Sequence, residues 1–251
     1  MATTLEALFT PAEFEALKAR DLNETVCVVF DIFRATSTIV TALAHGAASV
    51  TPVAEIPEAI AIRQKRPDVL LAGEREGLRI RADLTGGIDF DLGNSPREFT
   101  AERVTDRHIV ISTTNGSRAL RACAHAKAVL VGSFFNLSTT AQFLEKKNYS
   151  NVLLVCSGTH NEAAYEDVLG AGALVELLWP RFKSGHISDS AQIALQIYQQ
   201  NAGDLVNATQ HARNGRRLLS IPELRDDVAW CLRRDAFPLV ATMEGDAIVR
   251  Q

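Results

Sequence analysis

Short apolar runs alternate with helix-period stretches along the first two-thirds of the chain. Residues 26–32, 49–54, 68–73, 107–113, 128–134 and 151–157 contain apolar runs of Val, Ile, Leu or Ala. That is the pattern of strands buried on both faces of a largely parallel sheet. Between and after them, residues 37–45, 57–65, 116–125, 138–147 and 162–179 read as helices. Beyond about residue 180 helices dominate, over 188–200, 204–211 and 223–233, before a closing hairpin over 239–249 around Glu244-Gly245-Asp246. The order predicts a three-layer α/β/α fold with a mostly parallel sheet and a helical C-terminal region. It reads as one domain over 1–251, with a subdivision near 105–115 and a helical tail from about 180.

Two features modulate this rhythm. Ser37, Ala44-His45 and Val50 are echoed by Ser117, Ala124-His125 and Val129, so strand, polar turn, helix and strand recur about 80 residues apart. The echo predicts two similar α/β halves whose strand ends face a common cleft. The stretch 74–100 is rich in Gly, Asp, Arg and Asn but also carries Phe90, Leu92 and Phe99. A loop that long inside a compact domain, with its own apolar anchors, reads as ordered and functional.

Composition narrows the function classes. The chain is 47% hydrophobic and 22% charged, with 26 basic and 30 acidic residues and a net charge of −4. A core needs no disulfide or structural metal at this size. There is no basic surplus for a phosphate backbone or an anionic membrane. No apolar run approaches the roughly 18 residues of a spanning helix, and the first residues lack a basic-then-apolar signal pattern. A cytoplasmic location is expected. Cys27, Cys123, Cys156 and Cys231 form no C-x-x-C pair and read as buried, reduced thiols. The six His show neither H-x-x-x-H nor Cys/His clustering, which argues against zinc. A phosphate-binding loop of the G-x-x-x-x-G-K-[ST] type is missing. Gly170-Ala171-Gly172 lies inside a helical stretch and reads as helix packing. In Asp31-Ile32-Phe33, phenylalanine stands where an aspartyl-phosphate phosphatase carries its second Asp.

Ligands of open α/β sheets collect beyond the carboxyl ends of the strands. Here three such ends carry clustered polar residues: 31–38, 112–118 and 156–162. In the first two, a strand runs into hydroxyl-bearing residues where a helix begins, so free backbone N–H groups and the helix dipole favour an anion. Thr36, Ser37 and Thr38 at one turn, with Thr114, Asn115, Gly116 and Ser117 at the other, are the candidate cradle. Arg34 and Arg118 add forked donors suited to phosphate or carboxylate. Asp31, Glu74, Glu166 and Asp167 stand at the mouths of strands or in the following helical turn. Carboxylates gathered beside an anion site call for a hard divalent cation, and Mg²⁺ takes one or two of them while bridging to phosphate oxygens. For Asp31 the competing assignment is an ion pair with Arg34; for Glu166 and Asp167 it is favourable charge in a first helical turn.

The segments Asp31-Ile-Phe-Arg-Ala-Thr-Ser-Thr-Ile39, Gly73-Glu-Arg-Glu-Gly77, Phe90-Asp-Leu-Gly-Asn-Ser-Pro96, Thr113-Thr-Asn-Gly-Ser-Arg-Ala119, Gly132-Ser-Phe-Phe-Asn136 and Glu166-Asp167 occur in this order. Together they resemble the 2-phosphosulfolactate phosphatase family, known from coenzyme M biosynthesis. The resemblance implies an α/β/α fold of its own type. It also implies a Mg²⁺-dependent enzyme that hydrolyses (R)-2-phospho-3-sulfolactate to 3-sulfolactate and phosphate. It adds Arg75, Asn94, Ser95 and Asn136, from the matching segments, to the substrate-binding candidates. Asp31 and Arg34 are the expected catalytic pair, and Asp31, Glu74, Glu166 and Asp167 the expected metal ligands.

Phosphate monoester hydrolysis demands accelerations of up to about 10²¹-fold. One hydrogen-bond donor in an oxyanion site supplies roughly 10²–10³-fold, so a metal with arginines in a dry cleft is the expected source, with water attacking in line and Asp31 as nucleophile the lesser option. The expected partner is a small anionic phosphorylated substrate, with a homodimer allowed for and neither nucleic acid nor membrane expected. The alternatives are a phosphatase of another 2-phospho-hydroxyacid, or a non-catalytic anion-binding metabolite sensor, which would need the basic turns but no acids.

Overall fold

In a computed structural model, which describes residues 3–251, the apolar runs become strands close to where their pattern puts them. The first part of the chain runs β1 (Thr4–Leu8), α1 (Pro11–Glu15), β2 (Thr25–Phe30), α2 (Ala35–Ala44), β3 (Ser49–Val53), α3 (Ile56–Lys65) and β4 (Leu70–Arg75). The long loop region holds β5 (Leu78–Arg79), α4 (Ala82–Thr85) and α5 (Ala101–Val104). Then come β6 (His108–Ser112), α6 (Gly116–Ala122), β7 (Ala128–Gly132), α7 (Leu137–Lys146), β8 (Asn151–Cys156) and α8 (Tyr165–Phe182). The tail contains β9 (His186–Ile187), α9 (Asp189–Asn201), α10 (Leu205–Thr209), α11 (Arg213–Ser220), α12 (Arg225–Cys231), β10 (Ala241–Glu244) and β11 (Ala247–Arg250).

Eleven strands among the described residues form one sheet in the order β5-β4-β6-β3-β11-β10-β7-β2-β8-β1-β9. The closing hairpin β10–β11 is the seam. It pairs antiparallel with β3 on one side and β7 on the other, joining a parallel set β4-β6-β3 to a parallel set β7-β2-β8-β1. The β2-α2-β3 and β6-α6-β7 units cross this seam in opposite directions. The fold is α/β, mostly parallel, with a helical C-terminal region as the sequence pattern predicts.

The sheet is strongly curled. Strands β2 and β6 are five places apart, about 24 Å across a flat sheet, yet a Cβ on Gly116, just beyond β6, would meet the Asp31 carboxylate just beyond β2. Residue alternation explains the curl. On β2, Cys27 and Val29 face one apolar cluster shared with Val50, Ile109, Ile111, Val129 and Ile248, with Ile39, Leu43 and Leu120 of α2 and α6 inside it. Val26, Val28 and Phe30 face the opposite cluster with Leu169, Ala173 and Leu174 of α8. Both halves of the sheet thus wrap the same two helices, which draws their carboxyl ends together.

Against the outer face of the sheet, α8 packs closely on α9. A Cβ at Gly172 would lie 2.1 Å from the Ala194 carbonyl oxygen, so the Gly170-Ala171-Gly172 run is helix packing, as read. All four cysteines are free and buried. Among the described residues, no helix is long and apolar enough to cross a membrane.

Candidate active site

The carboxyl ends of β2, β4, β6 and β8 open on a cavity of about 550 Å³. Asp31 and Arg34 enter it from the β2–α2 turn, Glu74 and Arg75 from the end of β4, and Thr114 and Asn115 from the β6–α6 turn. Glu166 and Asp167 come from the first turn of α8, and Asn94 from the long loop. Residues distant in sequence therefore share one pocket, and Asp31, Arg34 and Asn115 face the same space.

The two helix starts are closed to an outside anion because Asp31 occupies them. Its Oδ1 accepts the Ala35 N–H at 3.1 Å, and the Gly116 N–H also bonds its carboxylate. The Asp31 N–H donates to Thr36 Oγ1 at 3.0 Å, and the Thr36 hydroxyl donates back to the Asp31 carbonyl at 2.9 Å. A carboxylate of the protein itself thus satisfies N–H groups that begin α2 and α6.

Asp167 is held as firmly. Its Oδ1 accepts the Ile32 N–H at 2.8 Å, and its Oδ2 accepts the Ser157 hydroxyl and the Gly158 N–H, each at 3.1 Å. Glu166 differs. Its Oε1 accepts from the Asn214 amide, while Oε2 is buried with no partner among the described residues. Burial pushes the Asp31 carboxyl up to about 6, against the opposing Ala35, Ser157 and Gly116 bonds and with help from the Glu74 charge. Burial likewise pushes Glu166 up to about 7, opposed by Asn214 and reinforced by Asp31. Asp167 lies well above the usual carboxylate range, first through burial and then through the charges of Asp31 and Glu166.

Three buried carboxyls that repel one another, one with an orphaned oxygen, suit a cation. Among the described residues, no group of three His, Cys, Asp or Glu side chains is arranged to hold a metal. An ion that takes only one or two carboxylates and keeps its waters, as Mg²⁺ does, is the kind that such a donor set could hold. Asp31 and Glu166 are the residues that could hold it. Glu74, expected beside them, has Oε1 accepting the Thr114 N–H and hydroxyl at 2.9 Å each and Oε2 accepting the Gly77 N–H at 2.7 Å. With both oxygens engaged, Glu74 ties β4 to the β6–α6 turn, and Asp167 ties α8 to β2 and β8.

Several expected substrate ligands stand elsewhere. Thr36, Ser37 and Thr38 are buried, their hydroxyls donating to the carbonyls of Asp31, Ile32 and Asn94. Ser117 bonds the Thr113 N–H, and Ser95 donates to Asp227. Asn136 caps a turn, its Oδ1 accepting the Ser133 N–H at 3.0 Å and its Nδ2 donating to the Val131 carbonyl at 3.0 Å. Arg118 is not on the cavity wall; it pairs with Glu15 on the surface. Arg75 lines the cavity with both terminal nitrogens committed to the Glu74, Ser112 and Ala54 carbonyls and the Ser112 hydroxyl.

The cavity wall that sequence reasoning missed is α11. It contributes Arg213, Asn214 and Arg217; Arg213 pairs with Glu162, Asn214 holds Glu166, and Arg217 bonds the Glu76 carbonyl. Arg213 and Arg217 are spaced to share one helix face. The dense Arg-Asn-Gly-Arg-Arg run was the available signal.

Gly116 shows how tightly the site is built. A Cβ there would lie 2.6 Å from Ala35 Cβ and 2.7 Å from Asp31 Oδ2. Gly116→Ala is expected to destabilise the fold by about 1–3 kcal/mol through overpacking, despite alanine's better helix propensity, and to displace Asp31. Urea unfolding and turnover measured together check this; wild-type values in both would show the contact to be soft.

The comparisons with known proteins give the family. Residues 10–246 match the model of a family described as 2-phosphosulpholactate phosphatase. A protein of Caldanaerobacter subterraneus subsp. tengcongensis named probable 2-phosphosulfolactate phosphatase is 36% identical over 247 residues, covering 97% of each chain. Proteins of the same name are 38% identical in Gloeobacter violaceus, over 83% of this chain and 84% of the relative, and 35% identical in Thermotoga maritima, over 89% and 92%. A curled sheet whose strand ends bring buried carboxyls and an arginine together is thus, in this chain, the fold of a phosphoric monoester hydrolase belonging to the 2-phosphosulpholactate phosphatase family.

Proposed function

We propose that the protein hydrolyses (R)-2-phospho-3-sulfolactate to 3-sulfolactate and inorganic phosphate with Mg²⁺ bound in the cavity. The observation that carries this reading is the meeting of the Asp31, Glu166 and Asp167 carboxyls, with Glu166 Oε2 unpartnered, beside the Arg34 guanidinium. The names of the relatives point to the same substrate. Asp31 and Glu166 would hold the cation, which when bound supplies Lewis-acid polarisation of the phosphoryl oxygens.

The chain's own residues supply the rest. Arg34 binds the phosphoryl group with the N–H groups that it does not spend on the protein, and Asn115 adds a polar contact from the opposite turn. The substrate carries a sulfonate and a carboxylate besides the phosphate, and Arg213 and Arg217 on α11 give the rim of the cavity matching charge. Water attacks phosphorus in line, the ester O–P bond breaks, and the hydroxy acid leaves with its carbon–oxygen bond intact.

Phosphate release from 2-phospho-3-sulfolactate and from 2-phospholactate, with Mg²⁺ or with EDTA, tests the proposal. The sulfonated substrate is expected to show a kcat/KM higher by about tenfold, because the smaller one offers no sulfonate to the charge of the half-exposed rim arginines. EDTA is expected to abolish release. Equal rates on both substrates would overturn the specificity, and full activity in EDTA the metal requirement.

A further inference from the structure

Arg34 is 3% exposed in a cavity that also holds Asp31, Glu74, Glu166 and Asp167. Among the described residues, its ion pair is with none of these carboxyls. Arg34 Nη1 donates instead to Asp227 Oδ2 at 2.8 Å, and Nη2 to the Gly77 carbonyl at 2.6 Å. Asp227 belongs to α12 in the helical tail and is wholly buried. Its other oxygen accepts the Ser95 hydroxyl at 2.7 Å and lies 3.7 Å from Arg97 Nη1. Two fixed acceptors therefore hold the guanidinium at two nitrogens.

We infer that Asp227 is a positioning residue for the phosphatase reaction: it holds the Arg34 guanidinium clear of the cavity's carboxyls and presents its remaining N–H groups to the phosphoryl group. The inference rests on the phosphate-binding role proposed for Arg34. The physical reason is competition. A guanidinium on a flexible stem, surrounded by acids in a poorly screened cavity, is drawn onto the nearest carboxylate. Its donors are then spent, and a carboxylate meant for the cation is neutralised. An anion behind it removes that option before substrate arrives, so no reorganisation is needed at the moment of reaction. Misplacement of such a group by about 1 Å costs on the order of 10²-fold in rate. A merely structural ion pair, gluing α12 to the β2–α2 turn, would show the same distances but not the same coupling.

A double-mutant cycle on Arg34→Ala and Asp227→Asn, read as kcat and KM for phosphate release in Mg²⁺, separates the two. If Asp227 acts through Arg34, Asp227→Asn lowers kcat by about 10²-fold and adds no further loss in the Arg34→Ala background. Additive losses, or full turnover in folded Asp227→Asn, would overturn the inference while leaving Arg34's role intact. Full turnover in Arg34→Ala would instead remove the phosphate-binding role itself. Should Asp227→Asn not fold, the question moves to the Arg34→Ala background, where the double variant has neither member of the buried ion pair. Guanidinium chloride at low millimolar concentration is expected to restore part of the activity of Arg34→Ala and none of that of Arg34→Ala/Asp227→Asn. An equal response of the two variants, including none in either, would overturn the inference.

Discussion

Asp31→Asn is expected to lower phosphate release by about 10³-fold or more while leaving the protein folded. Loss of charge at the cation and phosphoryl group removes several kcal/mol of transition-state stabilisation, and each 1.36 kcal/mol is a factor of ten. The fold is expected to survive because two effects oppose one another. An amide keeps an oxygen for the Ala35 N–H but turns a donor toward other donors near Asp31, among them the Gly116 N–H. That mismatch costs about 1–3 kcal/mol. Against it, removing one of three mutually repelling buried carboxyls relieves the repulsion that adds to burial in raising Glu166 and Asp167. Single-turnover phosphate release at saturating Mg²⁺, with a thermal melt of the same preparation, reads both. Turnover within tenfold of wild type would remove Asp31 from the centre of the site.

Asp31 was legible because a buried strand ends on it, and a charge after five apolar residues has to emerge at the sheet's end. The company it keeps was not fully legible. The contact between Asp31 and Gly116 joins positions 85 apart in the chain, and depends on the sheet curling around α2 and α6, which no local pattern encodes. Arg118 illustrates the cost. Two residues beyond Gly116 in a helix is a turn of about 200°, so when Gly116 faces Asp31 the Arg118 side chain faces away, toward Glu15. The hydroxyls of Thr36, Ser37 and Thr38 misled for another reason. In a buried helix start such side chains can satisfy themselves on preceding carbonyls, as Ser37 does on Ile32, and sequence does not distinguish this from ligand binding. The first strand and α11 escaped detection because each is short and buries few side chains. The strand β1 buries only Leu5 and Ala7, and α11 buries Gly215 and Leu218, its polar face being the part that lines the cavity. Asp227 gave no signal at all, since its partner lies 193 positions earlier.

The raised carboxyls make stability depend on pH and metal together. Asp31 and Glu166 move from 3.8 and 4.5 to about 6 and about 7 on folding without metal. The folded protein therefore holds these protons more tightly than the unfolded chain, and the stability present at pH 4 is lost as pH rises through 6 to 7. A shift of about two units is worth on the order of 3 kcal/mol. Because these two groups and Asp167 interact, they titrate together and the loss need not be the sum. At about 2–4 °C per kcal/mol for a chain of this size, the melting temperature in EDTA is expected to fall by on the order of 10 °C between pH 5 and pH 8. Mg²⁺ should reverse the fall at pH 8, where both proposed ligands are ionised, and do little at pH 5, where binding must first displace protons. The comparison that isolates the pair is the double variant Asp31→Asn/Glu166→Gln, whose melting temperature should vary less between those pH values and ignore Mg²⁺. A wild-type protein whose EDTA melting temperature rises from pH 5 to pH 8 would mean that folding does not raise these carboxyls, and one whose Mg²⁺ shift is the same at both would mean that they do not receive the cation.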